Sequence, residues 1–331
     1  MSATRRALLP PGPETEITNA HSYSSWWVRL TQKCSHADCP RSRKGWPAWI
    51  RVTRGVTFDG RWFCGIPCLR PAVAARLQHL LTSIQSAKNR PYRLPLGLLL
   101  VNRGAISQEQ LRVALQAQRE SGHGRIGDWF LQLGMVTEEQ LTLALGLQWG
   151  CPVFPLDRQP TNLAWSRLMP LSLLESVRAV PAHFSTDGSM LYVAFADRID
   201  HTLLYGVEQM LGCRTAYCVS PARAIVESLD YLRRSANCEE ICFDSIHDLQ
   251  EMNSTICNYA EKLQSVRVSV VRAAGFVWVR LFGTRTSRDL LFRIYLQSGL
   301  VEADRFAISA KVFAESADER KDGGAKARLL A

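Results

Sequence analysis

Four cysteines stand in two close pairs near the front of the chain, Cys34 and Cys39 with four residues between them, Cys64 and Cys68 with three. Thiolates are soft ligands, and four of them in a tetrahedron are what a structural Zn(2+) takes. The spacings predict a closed zinc site on Cys34, Cys39, Cys64 and Cys68, with His36 as a substitute for one ligand. A catalytic metal is not expected, because four thiolates leave no open coordination position. Without a metal, the same residues read as four buried thiols. Elsewhere no Ser/His/Asp or Cys/His set stands out, and no G-x-x-x-x-G-K-[ST] phosphate loop occurs. The chain is therefore expected not to be an enzyme, and in particular not a nucleotide-driven motor.

The elements that must hold the cysteines are legible. Residues 55–63 read as a β-hairpin turning at Asp59-Gly60, and 71–81 as an amphipathic helix with Pro71 at its start. Knuckle, hairpin, then a second pair at a helix resembles a treble-clef zinc finger. A module of residues 21–88 is also of a size that often needs a metal staple. It is basic: residues 1–90 hold 14 Lys/Arg against 4 Asp/Glu, an excess that equals the whole-chain charge of +10. Such a block meets phosphate or an acidic face, so nucleic acid is one candidate partner through residues 1–90. The module carries five tryptophans, Trp26, Trp27, Trp46, Trp49 and Trp62.

Between residues 94 and 148 the chain says one thing twice. Leu96-Gly97 is followed by Gly104, Ile106, Leu111, Ala114, Leu115 and Gln118. Ile126-Gly127 is followed by Gly134, Val136, Leu141, Ala144, Leu145 and Gln148, each about 30 residues after its counterpart. Each copy reads as a short apolar helix, a glycine turn and a longer helix opened by a capping box, Ser107-x-x-Gln110 or Thr137-x-x-Gln140. Gly104 and Gly134 are placed as left-handed caps. The Leu-Gly and Ile-Gly steps lie at helix starts, where free N–H groups and the positive helix end face an anion.

The double pattern resembles the MshEN domain, the N-terminal domain of type II secretion and type IV pilus assembly ATPases. The resemblance covers residues 92–235. Val180-Pro181 and the β-α-β-α order after it agree with the resemblance: a strand at 190–197, a helix at 200–211 stopped by Gly212, a strand at 215–219 and a helix at 220–232. Asp200 and Ser220 are the expected N-caps. Several members of that family bind cyclic di-GMP through the paired motifs. The resemblance thus implies a ligand site of Arg93, Leu96, Gly97, Gly104 and Gln118 from the first copy. The second copy offers Arg125, Ile126, Gly127, Asp128, Gly134 and Gln148, and Asp197 joins from the strand end. Arg125 would meet a phosphate or stack on guanine, and Asp128 would accept from a guanine edge. Pro95 stands where the family has an arginine.

These readings give an α+β chain: a central helical-hairpin repeat with a small α/β subdomain, a zinc-finger-like module before it and a helix plus β-hairpin module (236–315) after it. In the last module, 244–264 reads as a helix and 266–271, 276–282 and 290–294 as strands. The strand at 276–282 is apolar on both faces apart from Arg280, so a helix or a partner must cover it. Residues 1–20 and 316–331 read as a disordered leader and tail. No apolar run reaches the roughly 18 residues a membrane span needs, and a cytoplasmic protein is expected. The function expected is a regulatory or adaptor protein, a cyclic di-GMP receptor with a protein partner in secretion, pilus or signalling machinery. The alternatives are a docking module of that machinery without a nucleotide, and a zinc-stabilised nucleic-acid binder.

Overall fold

The computed structural model describes residues 33–39, 55–82, 93–156, 168–185, 189–235, 240–246, 248–284 and 286–294. Met1–Arg293 and Ile294–Ala331 are separate units, and of the second only Ile294 is among the described residues. The expected leader, tail and four of the five tryptophans of the basic module lie outside the described residues. What is described is α+β. Among the described residues, no helix is long and apolar enough to cross a membrane.

The front hairpin is β1 (Val56–Phe58) and β2 (Arg61–Phe63), joined through Asp59 at φ 46° and Gly60 at φ 74°. Two left-handed residues are what a two-residue turn needs to match strand twist. Helix α1 (Ile66–Thr82) begins earlier than expected, because the Gly65 carbonyl accepts from the amides of Cys68 and Leu69. Cys68 therefore sits in the helix's first turn.

Four helices make the repeat: α2 (Leu96–Asn102), α3 (Gln108–Ser121), α4 (Ile126–Gln132) and α5 (Glu138–Trp149). Both capping boxes form as the spacing predicts, Ser107 with Gln110 and Thr137 with Gln140. A short helix α6 (Leu171–Val177), unforeseen in the sequence, leads into β3 (Ala179–Ser185). Then come β4 (Met190–Phe195), α7 (His201–Leu211), β5 (Arg214–Val219) and α8 (Ala222–Ser235). β4 pairs antiparallel with β3 and parallel with β5. Asp200 caps α7, and Gly212 stops it at φ 69°. Ser220 is not the cap of α8; its hydroxyl donates to the Phe154 carbonyl at 2.6 Å.

The remaining elements are β6 (Glu240–Phe243), α9 (Leu249–Lys262), β7 (Arg267–Ala273), β8 (Phe276–Phe282) and β9 (Ser287–Arg293). Helix α9 is shorter than 244–264, because Asp248 accepts from the amides of Gln250 and Glu251 and sets its start. The strands assemble as β2-β1-β7-β8-β9-β6, with β1 parallel to β7. The hairpin beside the cysteines thus extends the C-terminal sheet. Strand β8 is covered twice. Phe276 and Trp278 join the core of the α/β subdomain, and α7 packs on neighbouring β7. Val277, Val279 and Leu281 are fully buried on the alternate face, where α1 and α9 pack together and against the sheet. The contact of α7 with β7 is close: a Cβ on Gly206 would lie 2.7 Å from the Arg272 carbonyl oxygen. Buried Arg280 is neutralised by Asp289 through contacts of 2.8 and 2.7 Å.

Candidate functional site

The two copies of the repeat exchange partners. Short α2 packs on long α5 of the second copy, and short α4 on long α3 of the first. The Gln148 side chain donates to the Leu94 carbonyl at 2.7 Å, and Gln118 donates to the Gly124 carbonyl at 2.9 Å. Donors and acceptors keep the sequence offset of the repeat, so the pairing has a local twofold relation. Both glutamines, expected at the ligand, spend an amide on holding the other copy's turn.

The glycines divide into two roles. Gly97 and Gly127 lie in the first turns of α2 and α4 and are buried. A Cβ at Gly97 would meet Leu111 Cδ1 at 2.5 Å, whereas one at Gly127 would find Leu141 and Leu96 methyls at 3.5 and 3.6 Å. Their small size admits neighbouring leucines. Gly104 and Gly134 are exposed, at φ 67° and 62°, and end the short helices in the left-handed conformation that glycine adopts at least cost. Leu96 is buried in the repeat's core, and Ile126 packs against that core.

Charge gathers at the second motif. Arg125 Nη1 lies 2.7 Å from Asp197 Oδ2, with side chains 38% and 22% exposed, so the pair is open to a solute. The Arg125 amide donates to Asp128 Oδ2 at 3.3 Å. Three predicted residues, Arg125, Asp128 and Asp197, are therefore brought together from segments far apart in the chain. The Asp128 carboxyl is lifted above the ordinary carboxylate value, first by burial and then by the charge of Asp197, while its bonds to Arg125 pull the other way. The sequence reading missed Arg178, whose Nη1 reaches the same Asp197 oxygen at 3.3 Å. No spacing announces it, since it follows a helix that has no signature of its own.

The first motif is built differently. At the positions equivalent to Arg125 and Asp128 stand Pro95 and Leu98. Arg93 stacks instead on Trp149, its guanidinium carbon 3.4 Å from the ring centroid. Burial, and Arg198 beside it, hold the Arg93 pKa below its ordinary value, against an opposing effect of Tyr217.

At the front end, the four predicted cysteines converge, with their sulfurs all within 4.8 Å of one another. Cys39 and Cys64 sulfurs are 3.5 Å apart, and Cys64 and Cys68 sulfurs 3.7 Å. A tetrahedron with metal–sulfur bonds of about 2.3 Å has sulfur–sulfur edges of about 3.8 Å, so the set fits a metal ion. The Cys64 amide points at Cys34 Sγ (3.5 Å), and the Ser35 amide donates to the Trp62 carbonyl, tying the knuckle to β2. Burial pushes the Cys64 thiol up to about 11 in the absence of a metal, helped by Cys39. The group whose geometry fits a metal is the four cysteines; His36 is not part of it, and its Nδ1 is buried without a hydrogen-bond partner.

No family model matches the chain. Type IV pilus assembly ATPase PilB of Thermus thermophilus is 26% identical over 117 residues, 35% of this chain and 13% of its own. PilB of Myxococcus xanthus is 28% identical over 157 residues, 47% of this chain and 27% of its own. The chain thus spans less than a third of the length of these curated relatives. Among solved structures it is similar to MshE with cdg, at 30% identity over 42% of this chain and 99% of that one, TM-score 0.37. It is also similar to the N-terminal domain of XpsE, at 22% identity over 41% of this chain and 91% of that one, TM-score 0.32. With the duplicated motif and its exchanged packing, the stretch shared with the PilB ATPases makes the centre of this chain an MshEN-like, GspE N-terminal-like domain.

Proposed function

We propose that this chain is a non-enzymatic regulatory adaptor whose MshEN-like domain receives cyclic di-GMP and passes its state to a protein of pilus or secretion machinery. The observation that carries the reading is the meeting of Arg125, Asp128 and Asp197 in one half-exposed cluster at the second motif. A phosphate competes well for an arginine held by a carboxylate, since each presents a pair of anionic oxygens to a guanidinium fork. Once Arg125 turns to phosphate, Asp197 and Asp128 are left to accept from the N–H edge of guanine. Glycines 97 and 127 keep the two copies close enough for their turns to share a ligand. Titration calorimetry with cyclic di-GMP tests this: heat is expected from the wild type and little from Arg125→Ala. A silent wild type removes the receptor reading.

Zn(2+) held by Cys34, Cys39, Cys64 and Cys68 would supply no chemistry beyond cross-linking the knuckle to the hairpin and α1. Because β1 pairs with β7, that cross-link would steady the edge of the large sheet. About one equivalent of zinc in the purified protein, lost with Cys64→Ser, is the expected result.

A protein-docking role without nucleotide has an observation of its own. Leu94 and Leu98 of the first copy, and Leu143 and Leu147 on α5 of the second, against which α2 packs, are between 49% and 61% exposed. In that case, a pilus or secretion component binds with the same affinity whether or not cyclic di-GMP is added.

A further inference from the structure

The first motif has lost its arginine to Pro95, yet the fold supplies a second guanidinium from another element. Resting on the cyclic di-GMP reading, we propose that Arg178 is a ligand-binding residue, the second phosphate-facing cation of the site, and that Glu240 positions it through helix α6. Arg125 and Arg178 approach one oxygen, Asp197 Oδ2, at 2.7 and 3.3 Å. Two guanidiniums converging on one anionic oxygen is the arrangement a phosphate oxygen takes, so Asp197 holds the place of the phosphate until ligand arrives. Arg178 is 33% exposed and reaches a solute without unfolding anything.

The placement of Arg178 is constrained from both ends of its helix. It is the C-cap of α6, in the left-handed region at φ 50° and ψ 58°, which a non-glycine residue enters only when its surroundings require it. The other end of α6 is fastened by an acidic side chain from the edge strand β6. Glu240 accepts from the amides of Leu171 (2.7 Å) and Ser172 (3.1 Å) and from the Ser172 hydroxyl. Between them, Leu173 and Leu174 are fully buried, and Glu175 is bound by Arg233 at 2.7 Å. A rod of two turns, fixed at its start and packed along its side, leaves its last residue little freedom. Glu240 thus acts on the ligand through α6 and Arg178, as a positioning residue.

The experiment is a titration of the full chain with cyclic di-GMP at two salt concentrations, in the wild type, Arg178→Ala, Arg178→Lys and Glu240→Gln. Arg178→Ala is expected to weaken binding about tenfold or more and to flatten its salt dependence, because one ionic contact is gone. Arg178→Lys keeps the charge without the fork, so it retains the salt dependence and part of the affinity. Glu240→Gln is expected to weaken binding by a factor of about two to five with the salt dependence intact. If the wild type binds and Arg178→Ala matches it in affinity or in salt dependence, Arg178 is not a ligand and the proposal is overturned while the receptor reading stands. Unchanged affinity in Glu240→Gln overturns its positioning role. A wild type that gives no heat overturns both readings together.

Discussion

At the first motif the chain places Pro95 and Leu98; at the equivalent positions of the second it places Arg125 and Asp128. Around these pairs everything else is kept. Each copy has its capping box, its left-handed glycine, its small residue in the first turn of the short helix, and its glutamine reaching across to the other copy's carbonyl. The comparison separates two jobs that the sequence pattern runs together. The residues that make the repeat visible are those that pack and tie the helices. The charged residues occupy the few positions where the copies disagree. A repeat can therefore be intact as architecture while only one half carries charge.

The test with the largest expected effect attacks that asymmetry directly. Arg125→Ala is expected to weaken cyclic di-GMP binding by about tenfold or more, the size of a lost charge-assisted hydrogen bond. Pro95→Arg moves the other half towards its partner. Pro95 has φ −56° and ψ 135°, and Arg125 has φ −99° and ψ 152°, so an arginine enters without strain. It is expected to tighten binding, by up to about tenfold. Equal affinity in Pro95→Arg and wild type would mean that the first motif faces no ligand at all.

A smaller effect separates the two buried glycines. Gly97→Ala puts a methyl 2.5 Å from Leu111 Cδ1, and the leucine must turn away. We expect a loss of about 1–2 kcal/mol, the usual cost of overfilling a packed contact. Gly127→Ala meets its neighbours at ordinary contact distance, 3.5 Å or more. There alanine's helix preference, worth about 0.5–1 kcal/mol, should leave stability unchanged or raised. Denaturant midpoints of the two variants read out the difference, and equal losses would contradict the described packing.

The glutamines sharpen the comparison from the side where the copies agree. Gln118→Ala and Gln148→Ala each remove one amide-to-carbonyl bond, worth about 1 kcal/mol. If the exchange is as symmetric as the distances of 2.9 and 2.7 Å indicate, the two losses match within about 0.5 kcal/mol.

Much of the architecture was legible because its signals are local. Capping boxes, the Asp59-Gly60 turn, the stop at Gly212 and the 30-residue offset are all read within a few neighbouring residues. The two cysteine pairs are equally local, and they converge as their spacing suggests. What escaped lies in long-range pairing. The parallel contact of β1 with β7 joins strands from opposite ends of the described chain, and neither strand carries a mark of it. Strand β6 was hidden because its four residues show no alternation, with only Glu240 and the half-buried Ile241 and Phe243 around an exposed Cys242. Arg178 was missed for the same reason: its role comes from Asp197, which belongs to a different element. The glutamines were legible as recurring residues but not as crosslinks, because a recurring side chain does not say which backbone it will reach.

The smallest effect concerns Asp128, the residue that Leu98 replaces in the first copy. Its carboxyl is raised in the fold, chiefly by burial and next by the charge of Asp197. A carboxyl raised above its unfolded value binds protons more tightly when folded, so its ionised form costs stability at neutral pH. That cost fades as pH falls through the raised value and is gone below about pH 4, the unfolded carboxylate range, where both states are protonated. Asp128→Asn keeps an oxygen to accept from the Arg125 amide and removes the repulsion with Asp197. It is expected to be the more stable protein at pH 7, by less than about 1 kcal/mol after allowance for solvent screening, and to match the wild type near pH 3.5. Thermal unfolding of the pair across that range checks the sign. A variant less stable than wild type at pH 7 would show that Arg125 and Arg178 outweigh the burial of the charge, and that Asp128 is held ionised, as a guanine acceptor must be.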